Sequence, residues 1–179
     1  MVEQLSSRAD EIVAAGRALL ETEGAEALTM RRVADALGIR APSLYKHLPD
    51  KAALEAAIIA DGFTEAAAAF ESATSGAADP MGSLVRAFRT FASEHPHMYR
   101  LMTERPLPRD RLPPGLEART AAPLLRLTGS PARARAAWAF IHGMVILELN
   151  DRFPPDGMTE EAWESGIEAF VAVSHADSA

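Results

Sequence analysis

The sequence predicts an all-α fold of about nine helices, a short N-terminal three-helix head followed by a longer helical body. Three observations carry that prediction. Alanine is abundant, in runs such as Ala66 to Ala69, and favours helix throughout. The aromatic share is 6%, low for a sandwich or barrel that fills its strands with aromatic and β-branched residues. Apolar residues recur at helical spacing between capping residues, glycines and prolines, and no segment reads convincingly as a strand. The 179 residues fit one domain, or one domain with a small appended module. A hydrophobic fraction of 48% against 24% charged excludes a wholly disordered chain. With no cysteine, the chain cannot build a disulfide framework, a thiolate metal site or a cysteine nucleophile. No apolar run approaches the ~20 residues that span a bilayer. The polar start Met1-Val2-Glu3-Gln4 does not read as a signal peptide. The expectation is a soluble intracellular protein with no membrane partner.

The elements follow from local punctuation. Ser6 or Ser7 caps a first helix with the apolar stripe Ile12, Ala15, Leu19 and Leu20, stopped by Gly24. Thr29 caps a second, through Val33, Ala34 and Leu37 to Gly38. Pro42 suits the first turn of a third, very short helix from Ala41 to His47, before Pro49. Asp50 caps a long fourth helix from Lys51 to about Phe70. After a small, polar loop from Thr74 to Asp79, a fifth helix carries Leu84, Val85, Phe88 and Phe91. His95-Pro96 starts a sixth with Met98, Leu101 and Met102. Arg105 to Pro114 contains four prolines and reads as a loop. Three more helices are expected, from about Gly115 to Leu127, Pro131 to Asp151 and Thr159 to His175.

The formal net charge of −7 argues by itself against a nucleic-acid partner, but the distribution says otherwise. From Ala27 to Lys51 the chain carries Arg31, Arg32, Arg40, Lys46 and Lys51 against Asp35 and Asp50, a net of +3. Both lysines of the chain lie in that window, and from Ala52 onward the balance is −6. A basic segment on an acidic body indicates two jobs, divided at residues 1–50 and 51–179.

Arg31 to His47 has the layout of a helix-turn-helix. Gly38 supplies a left-handed turn residue, and Ala34 is small enough for a close crossing. Leu44 anchors the second helix on a small core of Val33, Leu37 and Ile39. With Leu44 inward, Arg40, Ser43, Lys46 and His47 point outward, as donors suited to base edges and phosphates in a major groove. Thr29 and Lys51 stand at helix N-termini, where backbone amides favour a phosphate, and Tyr45 suits the sugar-phosphate backbone. The candidate DNA-binding set is therefore Thr29, Arg40, Pro42, Ser43, Tyr45, Lys46, His47 and Lys51.

The run from Leu28-Thr29-Met30 through Ala34, Leu37-Gly38-Ile39 and Leu44-Tyr45-Lys46-His47-Leu48 to Lys51 resembles the DNA-binding segment of the tetracycline-repressor (TetR) family. The family pattern has Phe where this chain has Leu48, an apolar exchange that alters packing. The resemblance is close from about Ser7 to Leu54. Trp138-Ala139-Phe140-Ile141-His142-Gly143 is similar to the Trp-x-x-x-His-Gly signature of one subgroup of the family's C-terminal domains. The resemblance implies a bacterial, cytoplasmic, nucleoid-associated regulator that binds a double-stranded operator as a homodimer. Its C-terminal domain would bind a small effector, and most members of the family are repressors.

The body adds its own signals. The helix from Pro131 is apolar nearly all round between Ala136 and Leu149, so it calls for neighbours on more than one side. The last helix has a small-residue face open to close approach. A two-fold bundle of these two helices would satisfy both, with Phe140, Met144, Leu147, Ala162, Gly166, Ala169, Phe170 and Val173 as its candidate interface. Phe88, Phe91, Met98, Tyr99, Met102, Trp138 and His142 are candidate linings of an apolar effector cavity. Each residue of these two sets also reads as ordinary core. The long fourth helix joins head to body and is the natural lever between them.

Glu94, His95 and His97 make a weak metal motif, with a proline between the histidines and no third spaced ligand. There is no phosphate-cradling glycine loop, no nucleophile elbow and no telling carboxylate pair, so no enzyme activity, cofactor or metal is expected. The rival reading is a helical ligand carrier or scaffold whose N-terminal hairpin packs a partner protein and binds no DNA.

Overall fold

A computed structural model describes residues 7–176, with side chains as far as residue 170. Among the described residues there are nine α-helices and no strand. They are α1 (Arg8–Glu23), α2 (Met30–Ala36), α3 (Ala41–Leu44), α4 (Lys51–Thr74), α5 (Pro80–Glu94), α6 (Pro96–Thr103), α7 (Leu116–Thr128), α8 (Pro131–Leu149) and α9 (Thr159–Ala176). None of the helices among the described residues is long and apolar enough to cross a membrane. Ser6, one of the two capping candidates, lies outside the described residues, as does the side chain of Val173.

The chain divides into two packing units. Residues 1–63 with 95–114 form the first, and 64–94 with 115–179 form the second. The first unit is therefore larger than the segment 1–50, because it takes in the first half of α4, α6 and the proline-rich loop. It carries eleven basic and twelve acidic residues and is close to neutral, whereas the second carries seven and thirteen.

In the first unit the starts of α1, α2 and α4 are closed by side chains. Ser7 Oγ accepts the Asp10 N–H at 3.2 Å while the Asp10 carboxylate accepts the Ser7 N–H at 2.9 Å, a capping box on α1. Thr29 Oγ1 accepts the Arg32 N–H at 3.3 Å on α2, and Asp50 Oδ1 accepts the Ala53 N–H at 2.6 Å on α4. Ile12, Leu20, Leu28, Val33, Leu44, Leu54, Ile58 and Met98 have no exposed surface and form the core. Gly24 ends α1 at φ +81°, and a Cβ there would also fall 3.3 Å from the His97 ring. Gly62 of α4 faces the Met98 and Met102 sulfurs so closely that a Cβ would stand 2.7 Å from Met102 Sδ.

Two boundaries differ from expectation. The third helix stops at Leu44 rather than His47, and Tyr45 to His47 form a turn in which the His47 and Leu48 N–H groups both donate to the Leu44 carbonyl. Tyr45 keeps helical backbone as the cap, and the restriction that Pro49 places on Leu48 limits any continuation beyond the turn without setting the stop at Leu44. The fourth helix runs to Thr74, past Phe70. The loop after α6 contains a short 3-10 turn at Arg109–Arg111.

In the second unit α5 packs with α7, α8 and α9. Its aromatic centre is Phe70, stacked on Phe88 with ring centroids 3.9 Å apart and edge-on to Phe91. Arg89 of α5 donates to Glu148 of α8 and Glu160 of α9, with bonds of 2.6–2.9 Å to each carboxylate, beneath the Trp163 ring. One guanidinium thus joins three helices, a use of the arginine fork that lysine could not reproduce. On α8 the buried residues Ala137, Ile141, Met144 and Val145 define one face, while Trp138 and Leu147 are exposed.

Candidate nucleic-acid interface

The turn between α2 and α3 is closed by the backbone. Gly38 adopts φ +65°, and the N–H groups of Gly38 and Ile39 donate to the carbonyls of Asp35 and Ala34 at 3.1 and 3.0 Å. That pattern satisfies the last carbonyls of α2 and reverses the chain in two residues. Arg40 then enters α3 from extended backbone, Pro42 occupies its first turn, and Leu44 is fully buried. Arg40, Pro42, Ser43, Tyr45, Lys46 and His47 are all exposed around that single anchor, with Tyr45 at 51%. Thr29 is exposed at the N-terminus of α2, and Lys51 is half-buried at the start of α4. The eight residues thus share the first unit and lie on α3, directly before it (Arg40), in the turn that follows it (Tyr45, Lys46, His47) or at the starts of α2 and α4.

The electrostatics separate free cations from spent ones. Arg32 is bound fork-to-fork by Glu23 at 2.6 and 2.8 Å, so this member of the basic cluster serves the junction of α1 and α2. The Arg32 hydrogen bonds hold the Glu23 carboxyl below its ordinary range. Arg31 is largely exposed, 4.0 Å from Asp35. Asp50 accepts from the Ala53 backbone and also from Arg111 at 3.0 Å, and these bonds, in that order of weight, hold its carboxyl below the ordinary value of 3.8. A lowered folded-state pKa contributes stability that is present above the unfolded value and lost as pH falls through the folded one. Thermal melts of the parent should therefore lose stability as pH drops through and below 3.8, and Asp50→Asn should flatten that part of the profile. An unchanged acid limb in Asp50→Asn would remove the assignment.

The other candidate sets are distributed differently. Phe88 and Phe91 are buried against Phe70 in the second unit. Trp138 stacks on His142 at 5.7 Å in the same unit, but Trp138 is 45% exposed. Met98, Tyr99 and Met102 are buried in the first unit, where burial pushes the Tyr99 phenol up and keeps it neutral. Of the interface candidates, Leu147, Ala162 and Ala169 are exposed and Met144 is buried. Phe140 instead packs within the chain on Trp163 and Phe170, over Gly166, where a Cβ would run into its ring. His95 Nδ1 stands 3.3 Å from Glu21 Oε1, and Arg100 is paired with Glu104 at 2.6 Å. Phe70, Arg105 and Arg111 were absent from the sequence-derived sets. Their partners lie 18 or more positions away, and no local pattern announces such pairings.

A buried apolar anchor under a short polar helix, entered through a glycine turn, is the geometry of a helix-turn-helix. Residues 12–58 match the family described as bacterial regulatory proteins of the tetR family. Residues 81–170 match a tetracyclin repressor-like C-terminal domain. The HTH-type transcriptional regulator Rv0681 of Mycobacterium tuberculosis is 30% identical over 153 residues, covering 78% of this chain and 69% of the relative. The chain belongs to the tetracycline-repressor family. Among solved structures, the regulatory protein SCO4313 superposes with a TM-score of 0.73 at 22% identity, covering 92% of this chain and 95% of that one. A TetR variant from Acinetobacter baumannii AYE, in complex with minocycline, gives 0.64 at 22% identity over 93% and 95%. Membership decides between a DNA-binding regulator and a helical carrier or scaffold in favour of the regulator.

Proposed function

We propose that the protein is a homodimeric repressor that binds a palindromic operator through α3 and releases it when a small apolar effector binds residues 51–179. The observation that carries this reading is the exposed set Arg40, Ser43, Tyr45, Lys46 and His47 around the fully buried Leu44. A two-fold dimer would set its two copies of α3 about one helical turn of DNA apart, ~34–36 Å. Thr29, Tyr45 and Lys51 hold phosphates, Pro42 starts the reading helix, and Arg40, Ser43, Lys46 and His47 approach base edges. Dimerisation is supported by the exposed Trp138 and Leu147 on α8 and the exposed small residues Ala162 and Ala169 on α9. Within the second unit the aromatic residues Phe88 and Phe91 of α5, with Trp138 and His142 of α8, favour an apolar effector. Helix α4 enters both packing units as one continuous element, which suits it to carry the effector's influence to Lys51.

Purified protein incubated with genomic fragments at moderate salt should retain a short palindrome, and its affinity should fall steeply as salt rises. Recovery of no sequence above background by a folded dimer would sink the operator reading. On the selected duplex, Lys51→Ala should weaken binding to matched and mismatched sequences alike. Arg40→Ala or Lys46→Ala should also narrow the gap between them. Uniform loss in all three variants would reassign Arg40 and Lys46 to phosphates.

A further inference from the structure

We infer that Arg105 is a positioning residue for the DNA contact of Lys51, supplying the counter-charge that lets Lys51 leave Glu55 for a phosphate. The inference rests on the reading of Lys51 as a phosphate-holding residue. Lys51 opens α4 and Glu55 lies one turn further on, with Lys51 Nζ 3.5 Å from Glu55 Oε1. From the loop after α6, Arg105 Nη1 approaches the same oxygen to 3.6 Å, and Arg105 Nη2 stands 3.8 Å from Glu26. Glu55 Oε1 is closed off from solvent and, among the described residues, has no hydrogen-bond partner. Two cations therefore face one buried carboxylate oxygen, and neither has closed to hydrogen-bond distance.

A carboxylate oxygen removed from water needs positive charge beside it. With Lys51 as its sole partner, transfer of the ammonium to a phosphate would strand that oxygen and leave its charge next to the incoming anion. Arg105 removes the conflict by closing on Glu55 as Lys51 departs. The exposures agree with that division of labour. The Glu55 side chain is 20% exposed and fixed on the helix, whereas Lys51 at 42% and Arg105 at 51% have room to move. The same loop treats the other acid at this helix start alike, since Arg111 holds Asp50 at 3.0 Å.

The test is fluorescence anisotropy of the full chain on a fluorescein-labelled duplex bearing the palindrome recovered from genomic fragments. Circular dichroism melts confirm that each variant is folded. Arg105→Gln should weaken binding about three- to fivefold, the scale of an exposed ion pair. Adding Glu55→Gln should restore parental affinity, because a neutral amide no longer holds Lys51. In a Lys51→Ala background, Arg105→Gln should have no further effect. A loss that persists with Glu55→Gln or without Lys51 would mean that Arg105 touches DNA itself, and it would overturn the inference. So would parental binding by Arg105→Gln. Parental binding by Lys51→Ala would instead bring down the phosphate reading on which the inference stands, and the two failures are told apart by that variant alone.

Discussion

Phe70→Ala is expected to destabilise the second packing unit by about 3–5 kcal/mol, measured as a shift in denaturant midpoint at unchanged slope. The ring is 2% exposed, stacked at 3.9 Å on Phe88 and edge-on to Phe91 at 6.4 Å. Truncation removes the transfer free energy of a buried phenyl group and both ring contacts. It also leaves a void that Phe88 and Phe91 cannot fill, because their helix is fixed by α7, α8 and α9. Trp138→Ala is the control. That ring is 45% exposed, so its loss should cost the isolated chain less than about 1 kcal/mol while weakening any assembly that buries it. A Phe70→Ala protein within about 1 kcal/mol of the parent would show that the three rings are not a packed core. In that case Phe88 and Phe91 would instead wall a space that an effector fills.

What the sequence discloses depends on how far a cause reaches along the chain. The caps at Ser7, Thr29 and Asp50 and the stops at Gly24 and Gly38 act within four residues, and each was legible as a local pattern. The anchor Leu44 and its exposed neighbours were legible for the same reason: a short helix with one large aliphatic residue has one face to bury. The end of α3 lies three residues before the expected one, because Tyr45 to His47 keep a turn, and apolar spacing alone does not tell a turn from a last helical turn. Charge was harder still. A count gives Arg31, Arg32 and Arg40 equal weight, yet Arg32 is consumed by Glu23. Likewise Arg105 and Arg111 sit in a segment counted with the acidic body, but they pair with Glu55, Glu26 and Asp50 in the first unit. Phe88 and Met98 look alike as apolar helix residues, and only the fold assigns them to different units.

Leu44→Ala and Tyr45→Ala are adjacent substitutions with opposite expected signatures. Leu44 is fully buried and is the sole buried residue of α3, so its truncation should destabilise the first unit by about 2–5 kcal/mol. No second anchor exists on four residues of helix, and such a helix has negligible stability of its own. DNA binding should therefore vanish with the fold of α3, for every sequence, and recover only partly at low temperature. Tyr45 is 51% exposed, and its truncation should shift stability by no more than about 0.5 kcal/mol. Its effect should fall on DNA, with about tenfold weaker binding to matched and mismatched duplexes alike, the scale of one hydrogen bond to a charged phosphate. Parallel melts and anisotropy titrations separate the two effects. If Tyr45→Ala lost stability as Leu44→Ala does, Tyr45 would be a packing residue and the outward set around Leu44 would have to be redrawn. If Leu44→Ala kept both stability and binding, the buried anchor on which the helix-turn-helix geometry depends would not be holding α3 in place.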